Sequence, residues 1–84
     1  MQIDMRRIDP ARNMDRFYCV ELTTDLFGDH GVHRQWGRFG TWGRHRCDWY
    51  KSQVDAERAL SDLVKQKLAR GYALMSSMIE NSKR

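Results

Sequence analysis

Cysteine and long apolar runs are both scarce in this chain. Cys19 and Cys47 are the only cysteines among 84 residues, whereas a small secreted scaffold usually carries more. We therefore expect two buried, reduced thiols in a cytoplasmic protein. No run of about 18 apolar residues occurs, which predicts no transmembrane helix. The charged segment 1–10 also lacks the apolar stretch of a signal peptide.

Signatures of catalysis and of metal binding are missing as well. His30, His33 and His45 lie in separate loop and strand positions, and a zinc site needs about four convergent ligands. No Ser-His-Asp or Cys-His arrangement has a local signature. The glycine-rich stretch 37–43 is not followed by the Gly-Lys-Ser of a phosphate-binding loop. We predict that the protein is not an enzyme and that it binds no metal or cofactor.

Basic residues outnumber acidic ones. Lys and Arg number 15 against 11 Asp and Glu, so the formal net charge is +4. This balance favours a polyanionic partner, meaning nucleic acid or an anionic membrane surface. A hydrophobic fraction of 40% with three each of Trp, Tyr and Phe predicts a packed domain rather than a disordered chain, and the length allows one domain.

Strand-forming residues fill the first fifty positions, and a helical pattern follows. Residues 16–24, 32–39 and 44–51 are predicted strands joined by glycine-containing turns. Ser52 is a plausible N-cap, with Asp55 three residues on, and apolar residues then recur at helical spacing until Gly71 stops the helix. Residues 72–74 are expected to return to the sheet. The pattern predicts an α+β fold, an antiparallel meander of four to five strands with one main helix packed on it.

Three segments follow from this pattern. Residues 1–14 are expected to form an N-terminal arm or an edge strand, and residues 15–74 the domain itself. Residues 75–84 form a polar tail with Met75, Met78 and Ile79, which we expect to be loosely held or a short helix used in dimer contacts. Of the remaining tryptophans, Trp42 in its glycine turn is expected to be exposed, whereas Trp49 and Tyr50 are expected in the core.

The tripeptide Trp-Gly-Arg occurs twice within residues 36–44. Alternation along a strand directs Arg34, Trp36 and Arg38 to one face, and Arg44 and Arg46 share a parity on the next strand. Adjacent strands could merge them into a basic patch around an indole, which suits a nucleic-acid backbone. Gly37 would allow another backbone to approach. The same spacing also fits Trp36 as a packing residue, since strand tryptophans are commonly buried.

These motifs resemble the WGR domain, in particular the short bacterial proteins made of that domain alone. The resemblance covers residues 8 to 73 and is carried by residues 13–18, 25–28, 34–40 and 48–50, by Lys67, and by Gly71-Tyr72. It implies an antiparallel sheet with one helix. In the DNA-dependent poly(ADP-ribose) polymerases, the domain binds DNA at breaks and contacts other domains of the enzyme.

The resemblance also implies roles for individual residues. Trp36 and Arg38 would be the pair that faces DNA, and Lys67 corresponds loosely to a basic residue near the same site. Asp15 stands where the family often has Asn, which would place a carboxylate near phosphate. The polymerase's catalytic domain and zinc fingers have no counterpart in this chain, so the resemblance does not imply ADP-ribosyl transfer.

Two function classes follow. The first is a nucleic-acid-binding module, with DNA favoured over RNA, that uses Trp36, Arg38, Arg34, Arg44, Arg46 and Lys67. The second is a protein-interaction or assembly module that does not bind nucleic acid. The sequence leaves a protein partner open and does not decide between a monomer and a weak dimer, and we expect no membrane partner.

Overall fold

The computed structural model describes residues 1–75 as one antiparallel sheet with one helix, which confirms the α+β prediction. The helix α1 spans Gln53–Ala69, and a single 3-10 turn spans Pro10–Arg12. The strands are β1 (Gln2–Asp9), β2 (Met14–Thr24), β3 (His30–Arg38), β4 (Arg44–Tyr50) and β5 (Ala73–Leu74). Their order across the sheet is β4-β3-β2-β1-β5.

Strand β1 is a full member of the sheet. It pairs with β2 along its whole length, from Gln2 opposite Glu21 to Asp9 opposite Met14. The short strand β5 pairs with its other side, where Leu74 lies opposite Met5. The structure therefore has a strand and not an arm at this segment, but β1 lies between β2 and β5 and is not the edge strand that the sequence predicted.

The core lies between one face of the sheet and α1. Alternate strand residues face the helix, and the buried set consists of Met5, Tyr18, Val20, Val32, Ala56 and Leu60. Burying these side chains on one face is the main source of stability in a two-layer domain of this size. The other face of the sheet has no helix on it among residues 1–75.

The prediction that Trp49 lies in the core is wrong. Its partner in the register is Gly31, which places it on the face that α1 does not cover, and 49% of the residue is exposed. The indole packs over Gly31, where a Cβ would lie 2.8 Å from a ring carbon. Tyr50 has the opposite parity and is partly buried against the core, as expected.

The ends of α1 follow the predicted signals. Ser52 Oγ accepts a hydrogen bond from Asp55 N at 3.1 Å, which satisfies one of the free N–H groups at the start of the helix. Gly71 adopts a φ of +96°, the left-handed conformation that commonly ends a helix. This stop turns the chain back, so that Tyr72 packs against the core beside Tyr18.

The turn between β3 and β4 brings two glycines together. A Cβ on Gly37 would lie 2.8 Å from the Cα of Gly43, so the expected close approach of another backbone at Gly37 is confirmed. Gly43 has a φ of +66°, and a Cβ there would collide with the carbonyl oxygen of Trp36. Trp42, in the same turn, is 89% exposed, as predicted.

The C-terminal tail is described only at its first residue. Met75 N donates a hydrogen bond to Asp4 O at 2.8 Å. The rest of the predicted tail, including Met78 and Ile79, lies outside the described residues.

Candidate nucleic-acid interface

The predicted site residues of β3 and β4 share the face of the sheet that carries α1. Trp36 lies opposite Tyr18 on β2 and opposite Arg44 on β4. Arg34 lies opposite Arg46. Because directly paired residues project to the same side of an antiparallel sheet, the shared face inferred from parity is confirmed.

A cleft opens at one end of this face. It lies between the β1–β2 turn, the end of β3 and the last turns of α1, and its volume is about 570 Å³. Three of the predicted site residues, Trp36, Arg38 and Lys67, line it together. The other lining residues are Arg12, Asn13, Met14, Asp15, Arg16, Gly37 and Tyr72. We refer to this set as the basic cleft.

Like charges face one another across the basic cleft. Arg16 of β2 lies directly opposite Arg38 of β3, an arrangement that destabilises a strand pair. Arg38 Nη1 donates one long hydrogen bond to the backbone carbonyl oxygen of Asn13, at 3.4 Å. This acceptor carries no charge that would neutralise the guanidinium group. Both arginines are exposed, so their guanidinium groups remain available to an anion.

Among residues 1–75, Asp15 is the only acidic residue that lines the cleft, and Arg6 already compensates its charge. Arg6 of β1 donates to both carboxylate oxygens, at 2.9 and 2.8 Å, and this hydrogen bonding lowers the pKa of Asp15. The same guanidinium stacks on the Phe39 ring, 3.6 Å from its centroid. The carboxylate that the family resemblance places near phosphate is thus paired with Arg6, on the face of the sheet that α1 does not cover.

Lys67 reaches the cleft from the last turns of α1. Its Nζ lies 4.7 Å from the centroid of the Tyr18 ring and 5.5 Å from that of Tyr72. Burial lowers the pKa of Lys67 below its usual 10.5, and the nearby charges of Arg70, Arg34 and Arg16 lower it further. A desolvated ammonium among arginines is typical of a site that receives an anion.

This environment predicts that Lys67→Met does not destabilise the free protein. A lowered pKa in the folded state means that the charge of Lys67 opposes folding at pH 7, and the penalty disappears as pH rises through that pKa towards 10.5. We expect the variant to melt at the same temperature as wild type or higher at pH 7, with a smaller difference near pH 10.5. A markedly lower melting temperature at pH 7 would contradict this account of Lys67.

The remaining predicted residues lie along β3 and β4, outside the basic cleft. Arg34 and Arg46 both contact Asp48, at 3.4 and 3.0 Å, so one carboxylate partly neutralises two guanidinium groups. Arg44 is exposed opposite Trp36 on the edge strand. The structure therefore divides the predicted patch into the basic cleft and a flanking, partly compensated row.

The position of Trp36 fits both of the interpretations that the sequence left open. The indole is partly buried and packs against the core cluster, and the residue also lines the cleft. The guanidinium of Arg34 lies 5.8 Å from its ring centroid, within the range of a cation–π contact. One side chain thus supports the sheet and presents an aromatic surface beside the cations.

Three residues of the basic cleft were not predicted from the sequence: Arg12, Arg16 and Tyr72. Arg16 has the same parity as Tyr18, but only the β2–β3 register reveals that it faces Arg38. Arg12 follows Pro10 in the 3-10 turn, and Tyr72 follows the glycine that ends α1. Their placement depends on tertiary contacts that carried no local signal.

No histidine or cysteine of residues 1–75 lines the basic cleft. Within these residues, no group of three or more His, Cys, Asp or Glu is placed to hold a metal ion. The cysteines are free and only partly buried, rather than fully buried as expected. Burial, together with Asp4, raises the pKa of Cys19 to about 12, so this thiol stays protonated and is a poor nucleophile at neutral pH.

Comparison with known proteins identifies the family of this chain. The family model of the WGR domain matches residues 1–78. The chain belongs to the WGR domain family. This family is often associated with nucleic-acid binding and is in general non-catalytic.

A curated relative is known in a rhizobial bacterium. The chain is 43% identical over 68 residues to the uncharacterized protein y4dW of Sinorhizobium fredii (strain NBRC 101917 / NGR234). The match covers 81% of the chain but 33% of y4dW, so the chain spans about a third of that relative's length. No solved structure matches the chain.

Within residues 1–75, α1 is too short and too polar to cross a membrane, and no other helix there could do so.

Proposed function

We propose that this WGR domain binds nucleic acid in the basic cleft, and that its ligand is DNA at an end or a nick. The observation that carries the proposal is the convergence of Arg16, Arg38 and Lys67 beside Trp36, while Arg6 compensates the carboxylate of Asp15. Clustered cations that repel one another in the free protein are stabilised by phosphate. We assign no catalytic step to the domain.

Each group has a distinct part in this binding. The guanidinium groups of Arg16 and Arg38 suit bidentate contacts with phosphate oxygens. Lys67 adds a positive charge to the cleft from the last turns of α1. The exposed part of the Trp36 indole offers a surface for a base or a sugar. Arg44 extends the positive surface along the edge strand, and Arg34 and Arg46 contribute less because they share Asp48.

The size of the cleft favours a strand end over continuous duplex. A volume of about 570 Å³ lies within the roughly 300–1,000 Å³ of sites that enclose small molecules. The β1–β2 turn bounds it on one side and α1 on the other. A terminal nucleotide can enter such a space, whereas an uninterrupted duplex can touch only its rim. The family resemblance supports the same preference.

Fluorescence anisotropy of labelled DNA tests this proposal. One duplex carries a 5′-phosphorylated nick, and the matched duplex is intact and closed by hairpins at both ends. We expect tighter binding to the nicked duplex, and weaker binding to both at higher salt because phosphate contacts release counterions. Equal affinity for the two duplexes would contradict the preference for breaks. Binding that does not weaken with salt would contradict the phosphate contacts themselves.

A further inference from the structure

The turn between β2 and β3 presents two large apolar side chains to solvent. Leu26 is 100% exposed and Phe27 90%. Local hydrogen bonds order this turn, since Asp25 Oδ1 accepts from the backbone N–H groups of Phe27 and Asp29, at 2.9 Å each. Asp25 N also donates to Asp29 O at 3.1 Å. An ordered turn that projects such side chains into water is typical of a surface covered in an assembly.

The charges around this tip, residues 26–27, argue against nucleic acid and anionic lipid as its partner. Asp25 and Asp29 flank it. Although Lys51 Nζ lies 3.6 Å from Asp29 Oδ1, the carboxylate of Asp25 remains beside the tip and repels phosphate. The tip also lies at the opposite end of β3 from the basic cleft. His30 and Trp36 are six positions apart, which is about 20 Å of extended strand. The tip is thus an apolar protrusion for a protein surface, and it leaves the basic cleft open.

An apolar concavity that could receive such a tip lies on the same molecule. It has a volume of about 410 Å³ between α1 and the sheet, and its walls include Ile3, Leu22, Leu60 and Val64. Leu22 belongs to β2, the strand that leads into the tip four residues later, about 13 Å along an extended chain. Tip and concavity therefore lie on neighbouring parts of one surface.

The surface area that would be buried distinguishes a single tip-in-concavity contact from a reciprocal pair of such contacts. Burying a phenylalanine and a leucine in one concavity removes roughly 600–700 Å² from water, counting both sides, which is the size of a non-specific crystal contact. Two such contacts give roughly 1,200–1,400 Å², at the lower end of specific interfaces. A two-fold axis produces two identical contacts and closes the assembly.

We propose that the protein forms a two-fold symmetric dimer in which the Leu26–Phe27 tip of each copy fills the apolar concavity of the other. The proposed contact does not require nucleic-acid binding, because no residue that lines the concavity also lines the basic cleft, and the tip lies at the opposite end of β3. The assembly role thus falls to the turn between β2 and β3.

Sedimentation velocity from micromolar to millimolar concentrations tests the dimer. The first variant, Leu26→Ser with Phe27→Ser, removes side chains that are almost fully exposed in the monomer. The second, Ser61→Tyr, fills the concavity from an exposed helix position that lines it. The control, Trp42→Ala, removes an equally exposed aromatic side chain from the other end of the sheet. A circular-dichroism melt of each variant verifies that it is folded.

We expect wild type and Trp42→Ala to shift from monomer to dimer as concentration rises. Both test variants should raise the dissociation constant by at least about tenfold, because the first removes the central contact of a small interface and the second occupies the space that receives it. A wild-type protein that stays monomeric at millimolar concentration would overturn the proposal. A dimer that survives both test variants, or one that Trp42→Ala weakens equally, would overturn it too.

Discussion

Trp36→Ala is expected to lower both the stability of the protein and its affinity for DNA. The indole packs against the core while it lines the cleft, so its removal leaves a cavity and takes away a binding surface. Full truncation of a buried tryptophan costs about 3–5 kcal/mol, and we expect about 2–3 kcal/mol here because Trp36 is only partly buried. The loss of a stacked base should weaken DNA binding by about 1–3 kcal/mol.

Two further variants separate the roles of Trp36. Trp36→Phe keeps an aromatic face and much of the volume, so it should recover most of the stability and part of the affinity. Trp42→Ala removes an indole that is 89% exposed and lies outside the basic cleft, so both quantities should stay close to wild type. Thermal melting and anisotropy on the same samples measure these effects. A folded Trp36→Ala protein with wild-type affinity would show that the indole serves packing alone.

Gly43→Ala is expected to destabilise the fold strongly, by about 2–4 kcal/mol in the free energy of unfolding. The residue has a φ of +66°, and the new methyl group would collide with the carbonyl oxygen of Trp36. That carbonyl belongs to backbone and cannot swing aside as a flexible side chain can. The turn would have to move away from Gly37, and the geometry of Trp36 and Arg38 would change with it.

Gly28→Ala is the matched control for this prediction. Gly28 also has a positive φ, +82°, but a Cβ there would meet nothing within 4 Å. The substitution Gly28→Ala should lower the free energy of unfolding only by the conformational penalty, about 1–2 kcal/mol. Denaturant unfolding of both variants separates the free-energy cost of the steric collision from the cost of placing alanine in a left-handed backbone conformation. Equal losses would show that the close approach of Gly43 to Trp36 carries no energetic weight.

The fold was predictable because local patterns and tertiary packing agree. Ser52, Gly71 and the apolar spacing between them define α1 without knowledge of what it packs on. Strand β1 was harder to predict because its charged residues mask the alternation that buries Met5 completely. Trp49 was misplaced because Trp49 and Tyr50 are consecutive strand residues that point to opposite faces, and sequence parity does not tell which of these faces the helix covers. A large aromatic residue can lie on the uncovered face if a glycine on the next strand supports it.

The site was predictable only in part. The neutralisation of Arg34 and Arg46 by Asp48 had a usable signal, since Asp48 shares its strand parity with Arg46. The compensation of Asp15 had none, because Arg6 comes from a strand paired through tertiary structure. The placement of Arg16 opposite Arg38 likewise depends on the register between β2 and β3. The assignment of these residues to nucleic-acid binding stays a prediction.

The salt dependence of binding to the nicked duplex tests the basic cleft most directly, with Arg38→Ala compared with Arg58→Ala. Both arginines are exposed, and each substitution removes one positive charge, but Arg58 lies on α1 outside the cleft. We predict that Arg38→Ala weakens binding about tenfold and reduces the slope of log K against log salt by about one, whereas Arg58→Ala stays close to wild type. Equal effects of the two substitutions would contradict the cleft and indicate that only the net charge attracts DNA.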